Sequence, residues 1–317
     1  MSGLIGLDWG TSSLRAFLFD QSGQLKESRT RPWGIRCLPE GGIGAALESI
    51  THAWPLVPIL ASGMIGSRLG YCEVKYIETP AGVTDLVSAI YVAGNIDKRQ
   101  LFIIPGVQMP HVADVMRGEE TEIIGALACF PELCEQAELV LPGTHSKWVR
   151  IDNRRIAEFH TTMTGEVYSA LIKHTILGFG VNHISLNILN EAAFEQGVEK
   201  SARDASGDLL HNMFSARALL LGGRLAAESL PDYLSGLLLG AEWHGSLACG
   251  RASITRPVCL VGEEALCRRY QRAGILFGMP KARLLGSTAS IGLLEIARTA
   301  GLWTGVDALQ IPLETHQ

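Results

Sequence analysis

Two short segments of the chain place glycine and hydroxyl residues directly after an apolar run. The first, at 6–15, reads Gly-Leu-Asp-Trp-Gly-Thr-Ser-Ser-Leu-Arg, and the second, at 141–147, reads Leu-Pro-Gly-Thr-His-Ser-Lys. Glycine lets the backbone approach oxyanions closely, and hydroxyl and amide groups donate hydrogen bonds to them. Each segment therefore predicts a tight turn between two strands that can bind phosphate. For either segment alone, an ordinary strand-end turn is the alternative, since Asp and Gly are common in turns.

The residues of these segments suggest how a phosphate would be held. Asp8 is the candidate for holding a hydrated magnesium ion, because Mg²⁺ usually keeps several waters and binds through one or two carboxylates. Arg15 serves either the phosphate charge or the packing of the hairpin. The candidates for contacting phosphate are Gly10, Thr11 and Ser12 in the first segment and Gly143, Thr144 and Ser146 in the second. The chain contains no G-x-x-x-x-G-K-[ST] string, which excludes a P-loop.

The elements around these segments form the same series twice. The first half is predicted to contain strands at 3–9, 14–20, 25–31, 56–61 and 101–105 and helices at 41–54, near 84–92 and at 118–129. The second half is predicted to contain three short strands from 139 to about 160, strands at 258–262 and 282–286, and helices within 164–250 and at 263–274 and 289–300. This order predicts an α/β protein of two duplicated domains, 1–136 and 137–317, with a cleft between them. The last helix is an exception, because it can pack back on the first domain.

A family resemblance rests on these motifs. Asp8-x-Gly10-Thr11-x-x-x-Arg15 resembles the first phosphate motif of the sugar kinases in the actin, hexokinase and Hsp70 superfamily, and Gly143-Thr144-x-Ser146 resembles the second. The stretch Arg-Gly-Glu-Glu-Thr at 117–121 precedes the second motif, as a Gly-Asp-Gln helix start does in glycerol and xylulose kinases. More closely, the segments at 61–67, 141–149 and 162–168 resemble the 2-dehydro-3-deoxygalactonokinases. The resemblance implies two ribonuclease-H-like (actin-like ATPase) domains.

The resemblance also implies an activity and its cofactors. It implies a kinase that uses ATP and Mg²⁺ to phosphorylate 2-dehydro-3-deoxy-D-galactonate at its terminal C6 hydroxyl, in galactonate catabolism. Gly10, Thr11, Ser12, Arg15, Gly143, Thr144 and Ser146 would then bind the nucleotide phosphates. Gly262, after the apolar run at 258–261, resembles the adenosine motif, with a plain strand-to-helix turn as the alternative. Two other functions stay open: a kinase of the same fold for another small sugar, and a non-catalytic ATP-gated sensor.

The proton acceptor and the sugar contacts are less sharply defined. Glu119 and Glu120 are the candidates for the base, at a predicted helix start where related sugar kinases carry aspartate. Acids in a first helical turn also have a structural explanation, since they interact favourably with the helix dipole. Gly63, Met64 and Arg68, after an apolar strand, are the candidates for sugar binding. Arg68, Lys75 and Arg36 are the nearest cations in sequence that could meet the sugar carboxylate.

The composition of the chain limits the kinds of molecule that it is expected to bind. The chain has 317 residues, 47% of them hydrophobic, and a formal net charge of −5, with no basic stripe of the kind nucleic-acid binding requires. We therefore expect a cytoplasmic protein whose partners are a sugar acid and ATP, with neither nucleic acid nor membrane, and a homo-oligomer stays open. The seven cysteines form no C-x-x-C pair, so they are expected to be reduced residues, mostly in the core.

Overall fold

The computed structural model describes residues 3–179, 187–188, 190–203 and 208–303. The chain forms two compact units. The described part of the first unit comprises residues 3–135, 152–158 and 288–303, and that of the second comprises 136–151 and the described residues from 159 to 287. The structure therefore adds two pieces to the first unit that follow the boundary expected at 136, namely 152–158 and the last helix.

The described part of the first unit contains nine strands, which form two sheets. The strands are β1 (Leu4–Trp9), β2 (Leu14–Phe19), β3 (Leu25–Arg31), β4 (Ile59–Gly63), β5 (Ile77–Glu78), β6 (Tyr91–Ile96), β7 (Arg99–Ile103), β8 (Val107–Gln108) and β9 (Val115–Met116). Six of them form the main sheet in the order β3-β2-β1-β4-β7-β6, and β5-β8-β9 form a small second sheet. The central strand β1 is antiparallel to β2 and parallel to β4, so its carboxyl end lies beside that of β4.

The second unit contains the other main sheet. Its strands are β10 (Gln136–Leu141), β11 (Ser146–Asp152), β12 (Arg155–Thr162), β13 (Val258–Val261) and β14 (Arg283–Gly286). Their order is β12-β11-β10-β13-β14, in which β10 and β13 are parallel. The order matches that of β3-β2-β1-β4-β7 in the first unit. The predicted duplication of an α/β domain of the ribonuclease-H-like type is therefore confirmed.

Helices accompany both sheets. In chain order they are α1 (Gly42–Ile50), α2 (Val83–Ser88), α3 (Glu119–Cys129), α4 (Thr164–His174), α5 (Glu191–Ala202), α6 (Leu209–Leu221), α7 (Leu230–Ala248), α8 (Glu264–Leu276) and α9 (Ala289–Thr299). In the first unit α3 and α9 touch backbone to backbone. A Cβ atom built on Gly125 would lie 2.1 Å from the carbonyl oxygen of Thr288, and one built on Gly292 would lie 1.9 Å from that of Thr121. These two glycines therefore fix the close crossing that positions α3.

Several predicted boundaries are wrong, each for a local reason. The helix predicted near 84–92 ends at Ser88, and β6 begins at Tyr91, where aromatic and β-branched residues favour a strand. The strand predicted at 56–61 runs instead from Ile59 to Gly63, directly after Pro58, which has no N–H for a strand ladder. The helix predicted at 41–54 ends at Ile50. The part of 164–250 that the structure describes contains four helices, α4 to α7.

Apolar strands and helix faces form a core in each unit. In the first unit it includes Leu7, Trp9 and Ile59, and in the second it includes Trp148 and Trp243, whose rings meet edge to face with centroids 4.9 Å apart. No helix among the described residues combines the length and the apolar character needed to cross a membrane. All seven cysteines are free thiols. The expectation that most are core residues is wrong, because the buried ones are Cys134, Cys259 and Cys267.

Candidate active site

The first predicted phosphate segment folds as a hairpin turn between β1 and β2. The amide of Gly10 donates to the carbonyl of Ser13 over 2.9 Å and closes the turn. Thr11 is half-buried and Ser12 is exposed. The segment thus presents backbone and hydroxyl groups at the carboxyl end of the central strand, where open α/β sheets bind ligands.

Asp8 lies at the base of this turn, directly opposite Arg15 in the antiparallel ladder. Its side chain is 14% exposed and forms an ion pair with Nη2 of Arg15, which also lies 3.3 Å from Oε1 of Glu122. Burial raises the pKa of Asp8, Arg15 opposes that rise by stabilising the carboxylate, and the charge of Glu119 adds to it. Arg15 therefore holds the carboxylate of Asp8 in place, and it lies at the turn where a phosphate would also meet its charge.

Glu119 and Glu120 begin α3 and have different surroundings. Glu120 is 0% exposed, and it accepts hydrogen bonds from the amide of Gly118 at 2.7 Å and the hydroxyl of Ser62 at 3.3 Å. Burial, followed by the charge of Glu119, raises the pKa of Glu120 to about 8. Glu119 is half-buried and accepts a hydrogen bond from the amide of Arg117 at 3.0 Å. At neutral pH the carboxyl group of Glu120 therefore holds its proton.

The predicted sugar segment packs directly against this acidic helix start. Strand β4 ends at Gly63, and a single 3-10 turn follows from Met64 to Gly66. Gly63 has φ of 90°, and a Cβ atom there would lie 2.5 Å from the carbonyl oxygen of Trp9. Gly118 lies on the other side, where a Cβ atom would be 3.3 Å from Cα of Gly63. Glycine at both positions thus lets β1, β4 and the start of α3 meet.

The structure brings most of the predicted residues of the first unit together at the carboxyl ends of β1 and β4. Asp8 is the ladder partner of Ser62 in β4, and Ser62 donates a hydrogen bond to Glu120. The magnesium candidate and the acidic start of α3 therefore lie at the carboxyl ends of the same two strands. Met64 is half-buried at the same edge. The sequence-predicted cations Arg36, Arg68 and Lys75 are all exposed.

Two residues at this edge were not predicted to contribute. Ser62 is buried within an apolar strand, and its hydroxyl bonds both Glu120 and the hydroxyl of Thr121, the latter at 2.7 Å. Arg117 directly precedes Gly118 and is buried. A hydroxyl inside an apolar run and a cation before a glycine were the available signals, and neither is specific by itself.

The second predicted phosphate segment is the turn between β10 and β11. Gly143 is half-buried and Thr144 is exposed. Ser146 is fully buried, and its hydroxyl lies 2.5 Å from that of Tyr270 and 3.4 Å from the amide of Gly143. Ser146 was predicted to contact phosphate directly, but its side chain faces the interior, because it already belongs to β11 and points to the buried face of the sheet. The hydroxyl is therefore placed to orient the turn.

The start of α4 packs against this turn. A Cβ atom on Gly165 would lie 2.3 Å from the carbonyl oxygen of Gly143, so only glycine allows this contact. The amide of Glu166 donates to the carbonyl of Thr144 over 2.9 Å, and its carboxylate lies 2.6 Å from Nε2 of His145. Backbone and side-chain contacts thus fix the turn in one conformation.

A buried acid connects the turn to the core of the second unit. Glu242, on α7, accepts hydrogen bonds from Nε1 of Trp148 at 2.6 Å, from the hydroxyl of Tyr270 at 2.8 Å, and from the hydroxyl of Thr164. Burial raises the pKa of Glu242, and these donors oppose the rise. Because Tyr270 also bonds Ser146, the network joins α7, α8 and the start of α4 to the phosphate turn.

Gly262 ends β13 as predicted, at the turn into α8. Its φ is 131°, and its amide donates to the carbonyl of Gly286 over 2.9 Å. The carboxylate of Glu263 then caps α8 by accepting from the amides of Ala265 at 3.1 Å and Leu266 at 2.9 Å. A Cβ atom on Gly262 would lie 3.8 Å from the carbonyl oxygen of Pro142, so the adenosine candidate neighbours the phosphate turn.

The acidic groups of the first unit fit a magnesium ion carried by phosphate. Within the described ranges, no three His, Cys, Asp or Glu side chains converge into a protein-only metal site. Mg²⁺ in phosphoryl-transfer sites commonly binds through one or two carboxylates, its own waters and the substrate phosphates. Asp8, partly exposed beside the phosphate turn, meets that requirement.

Known proteins resemble this chain over nearly its whole length. It is 34% identical over 301 residues to 2-dehydro-3-deoxygalactonokinase of Escherichia coli (strain K12), a match that covers 92% of this chain and 97% of the relative. The crystal structure of a Sinorhizobium meliloti protein described as a 2-dehydro-3-deoxygalactonokinase superposes with a TM-score of 0.83 at 33% identity, covering 94% of this chain and 99% of that chain. Component A of the Acidaminococcus fermentans (R)-2-hydroxyglutaryl-CoA dehydratase shares the fold alone, with a TM-score of 0.51 at 11% identity over 95% of this chain and 100% of that chain.

The sequence profile of the 2-keto-3-deoxy-galactonokinase family matches residues 8–296. This range contains both phosphate turns and the acidic start of α3. The predicted resemblance is confirmed, and the chain belongs to the 2-keto-3-deoxy-galactonokinase family.

Proposed function

We propose that the protein transfers the γ-phosphoryl group of ATP to the terminal C6 hydroxyl of 2-dehydro-3-deoxygalactonate, giving the 6-phosphate and ADP. Membership of the kinase family supports the reaction type, and the name of the Escherichia coli relative supports the substrate. The observation that carries the proposal is the shared strand edge of the first unit, where Asp8, the sugar segment and the acidic start of α3 meet.

Asp8 and Arg15 handle the phosphate charge in this proposal. A magnesium ion, when bound, neutralises charge on the β- and γ-phosphates. Asp8 would hold that ion through its waters. Because burial raises the pKa of Asp8, the neighbouring charge of Arg15 would help to keep its carboxylate ionised. Gly10, Thr11 and Ser12 donate backbone and hydroxyl hydrogen bonds to the phosphate oxygens.

Glu119 is the proposed base. The C6 oxygen attacks the γ-phosphorus, the bond from that phosphorus to the oxygen of ADP breaks, and the hydroxyl proton passes to Glu119. Glu120 is a poorer acceptor because burial raises its pKa to about 8 and so favours the protonated form at neutral pH. We assign Glu120 to positioning, since it bonds the amide of Gly118 and the hydroxyl of Ser62. Gly63 and Met64 would contact the sugar.

The second unit contributes to nucleotide binding. Gly143 and Thr144 would contact the nucleotide phosphates, and Gly262 would lie along the adenosine. The network of Glu242 and Tyr270 keeps Ser146, and through it the amide of Gly143, in place.

A substrate panel tests the proposed function. ADP release is measured with ATP and Mg²⁺ for 2-dehydro-3-deoxygalactonate, for its C4 epimer, and for neutral sugars of the same length. The proposal predicts turnover with the keto-deoxy acids and the highest kcat/KM for the galactonate derivative. Faster turnover of a neutral sugar would favour a kinase of the same fold for another substrate, and nucleotide binding with no turnover of any sugar would favour an ATP-gated sensor.

A further inference from the structure

Three arginines of the described part are at least nine-tenths buried, and one of them differs from the others. Arg99 pairs with Asp97, and Arg269 pairs with Asp232. Arg117 has no carboxylate within ion-pair distance among the described residues, although its side chain is 9% exposed. A buried cation without an anion is costly, so its retention calls for a partner that arrives from outside the chain.

The hydrogen bonds of Arg117 are also incomplete. Nη2 donates to the carbonyl of Val74 over 2.6 Å, and the guanidinium stacks on the ring of Tyr76 with 4.2 Å between its carbon and the ring centroid. Nε and Nη1 are buried and find no acceptor in the described ranges of the chain. An arginine has five N–H donors, and the free N–H groups of Nη1 can donate charge-assisted hydrogen bonds to a carboxylate.

The position of Arg117 within the site restricts what that partner can be. Nη1 lies beside Gly66 at the end of the sugar segment, where a Cβ atom would be 2.9 Å away. The backbone amide of Arg117 donates to the carboxylate of Glu119, the proposed base, and the positive charge of Arg117 opposes the burial that raises the pKa of the neighbouring Glu120. The unpaired guanidinium is therefore next to both the sugar segment and the acidic helix start.

We propose that Arg117 recognises the carboxylate of the sugar acid through the free N–H groups of Nη1. This inference rests on the proposed function, and it replaces the exposed cations Arg36, Arg68 and Lys75 as the carboxylate partner. In a six-carbon 2-keto-3-deoxy acid the carboxylate and the reacting hydroxyl are at opposite ends, so holding the carboxylate orients the chain.

Binding must uncover the guanidinium, because Gly66 and the carbonyl of Val74 lie against it. The segment between them is closed by backbone hydrogen bonds, including those from the amide of Tyr71 to Ile65 at 2.8 Å and from the amide of Val74 to Gly66 at 3.0 Å. The carboxylate thus replaces a local packing contact with charged hydrogen bonds, and only substrates that carry the charge gain from the exchange.

The test compares two substrates that differ only in this group, 2-dehydro-3-deoxygalactonate and its carboxamide, at saturating ATP. We expect the ratio of kcat/KM for acid over amide to fall by about tenfold to a hundredfold in Arg117→Met, the range for charged hydrogen bonds. Arg117→Lys keeps the charge but not the planar guanidinium, and its ratio is expected to lie in between. The ratio of kcat/KM for acid over amide, measured on one preparation, does not depend on the fraction of enzyme that is folded. If Arg117→Met fails to fold, Arg117→Lys still tests the inference.

Two controls make the result specific. Arg99→Met removes another buried arginine of the same unit, and Arg68→Met removes an exposed cation that follows the sugar segment; both should keep the wild-type ratio. An unchanged ratio in both Arg117 variants, or a collapsed ratio in Arg68→Met, would overturn the inference while leaving the proposed function standing. If the wild-type protein turns over neither substrate, the proposed function is overturned, and the inference is overturned with it.

Discussion

Glu119 and Glu120 are adjacent at the start of α3, and their environments assign them different tasks. The carboxyl group of Glu120 is enclosed and bonded to Gly118 and Ser62, whereas Glu119 is half-buried near Asp8. A base must be ionised and must reach the hydroxyl of the substrate. These requirements favour Glu119, one residue before the enclosed acid.

Replacing each acid by its amide should separate these roles. We expect Glu119→Gln to lower kcat by about 10²-fold with little change in the KM for the sugar, the lower range for general-base catalysis. Glu120→Gln should stay near the wild-type kcat, because a neutral amide resembles a protonated carboxyl group. Steady-state kinetics at neutral pH measures both. Full activity of both variants would show that the base is another group.

The raised pKa of Glu120 predicts a stability profile. Between pH 4.5, the ordinary value, and about 8, the folded protein keeps a proton that the unfolded chain releases. The free energy of unfolding should therefore decrease as the pH rises through this interval. Thermal melting should show a steeper decrease for the wild type than for Glu120→Gln, which cannot ionise. Parallel profiles would mean that Glu120 is not enclosed in solution.

Single site residues were predictable where their own type and their neighbours in the sequence identify them. Asp8 and the Gly10 turn fall where the motif places them. The inward orientation of Ser146 was not predictable, because it depends on Tyr270, which is distant in sequence. Arg117 was missed for the same reason, since its lack of a carboxylate partner is a property of the packed structure.

The element that matters most in the second unit is α7, which carries two buried acids with different connections. Glu242 binds Tyr270 and Trp148 and so reaches the phosphate turn through Ser146. Asp232 pairs with Arg269 at 2.9 Å and accepts from the amide of Asn190 at 2.7 Å. The two acids thus provide a matched pair for separating stability from function.

Both Glu242→Gln and Asp232→Asn should lower the melting temperature, because each disturbs buried polar groups. Only Glu242→Gln should also raise the KM for ATP, by about three- to tenfold, the factor for one net hydrogen bond. Tyr270→Phe should reproduce that change, and combining it with Glu242→Gln should add little, since both act through one network. An equal effect of Asp232→Asn on the KM would contradict a positioning role for Glu242.

Elements with a strong periodic pattern were predictable, and short ones were not. The hairpin of β1 and β2 and the strand-to-helix turn at Gly262 occur where the sequence places them. Strand β6 was missed because its exposed residues show no alternation, and it exists through its pairing with β7. The same holds for the two-residue strands β5, β8 and β9, which tertiary pairing creates.

At the scale of the whole chain, the same strand order occurs in both units, and each unit places a glycine turn after its central strand. This duplication was predictable because the order of elements is repeated along the sequence. The assignment of 152–158 and α9 to the first unit was less predictable from the sequence, because it follows from contacts such as that of Gly292 with α3. Chain order alone does not contain those contacts.

Substitution of Gly143 tests whether the second phosphate turn binds the nucleotide. Gly143→Val should weaken the binding of a non-hydrolysable ATP analogue, because a branched side chain would block close approach of phosphate to the backbone. The binding of the sugar acid should change little, since its proposed contacts lie in the first unit. Calorimetric titration of each ligand measures both affinities. Equal losses for both ligands would indicate general misfolding, and no loss for the analogue would remove the turn from the nucleotide site.

The most direct measurement identifies the product. Wild type and Asp8→Asn are incubated with ATP, Mg²⁺ and 2-dehydro-3-deoxygalactonate, and phosphorus NMR shows which oxygen carries the new phosphate. We expect one ADP for each 6-phosphate in the wild type. We expect a rate lower by about 10²-fold or more in Asp8→Asn, the scale of a lost electrostatic interaction in the transition state. A phosphate on another oxygen, no phosphorylated sugar, or full turnover by Asp8→Asn would contradict transfer to the C6 hydroxyl with Asp8 in the phosphate site.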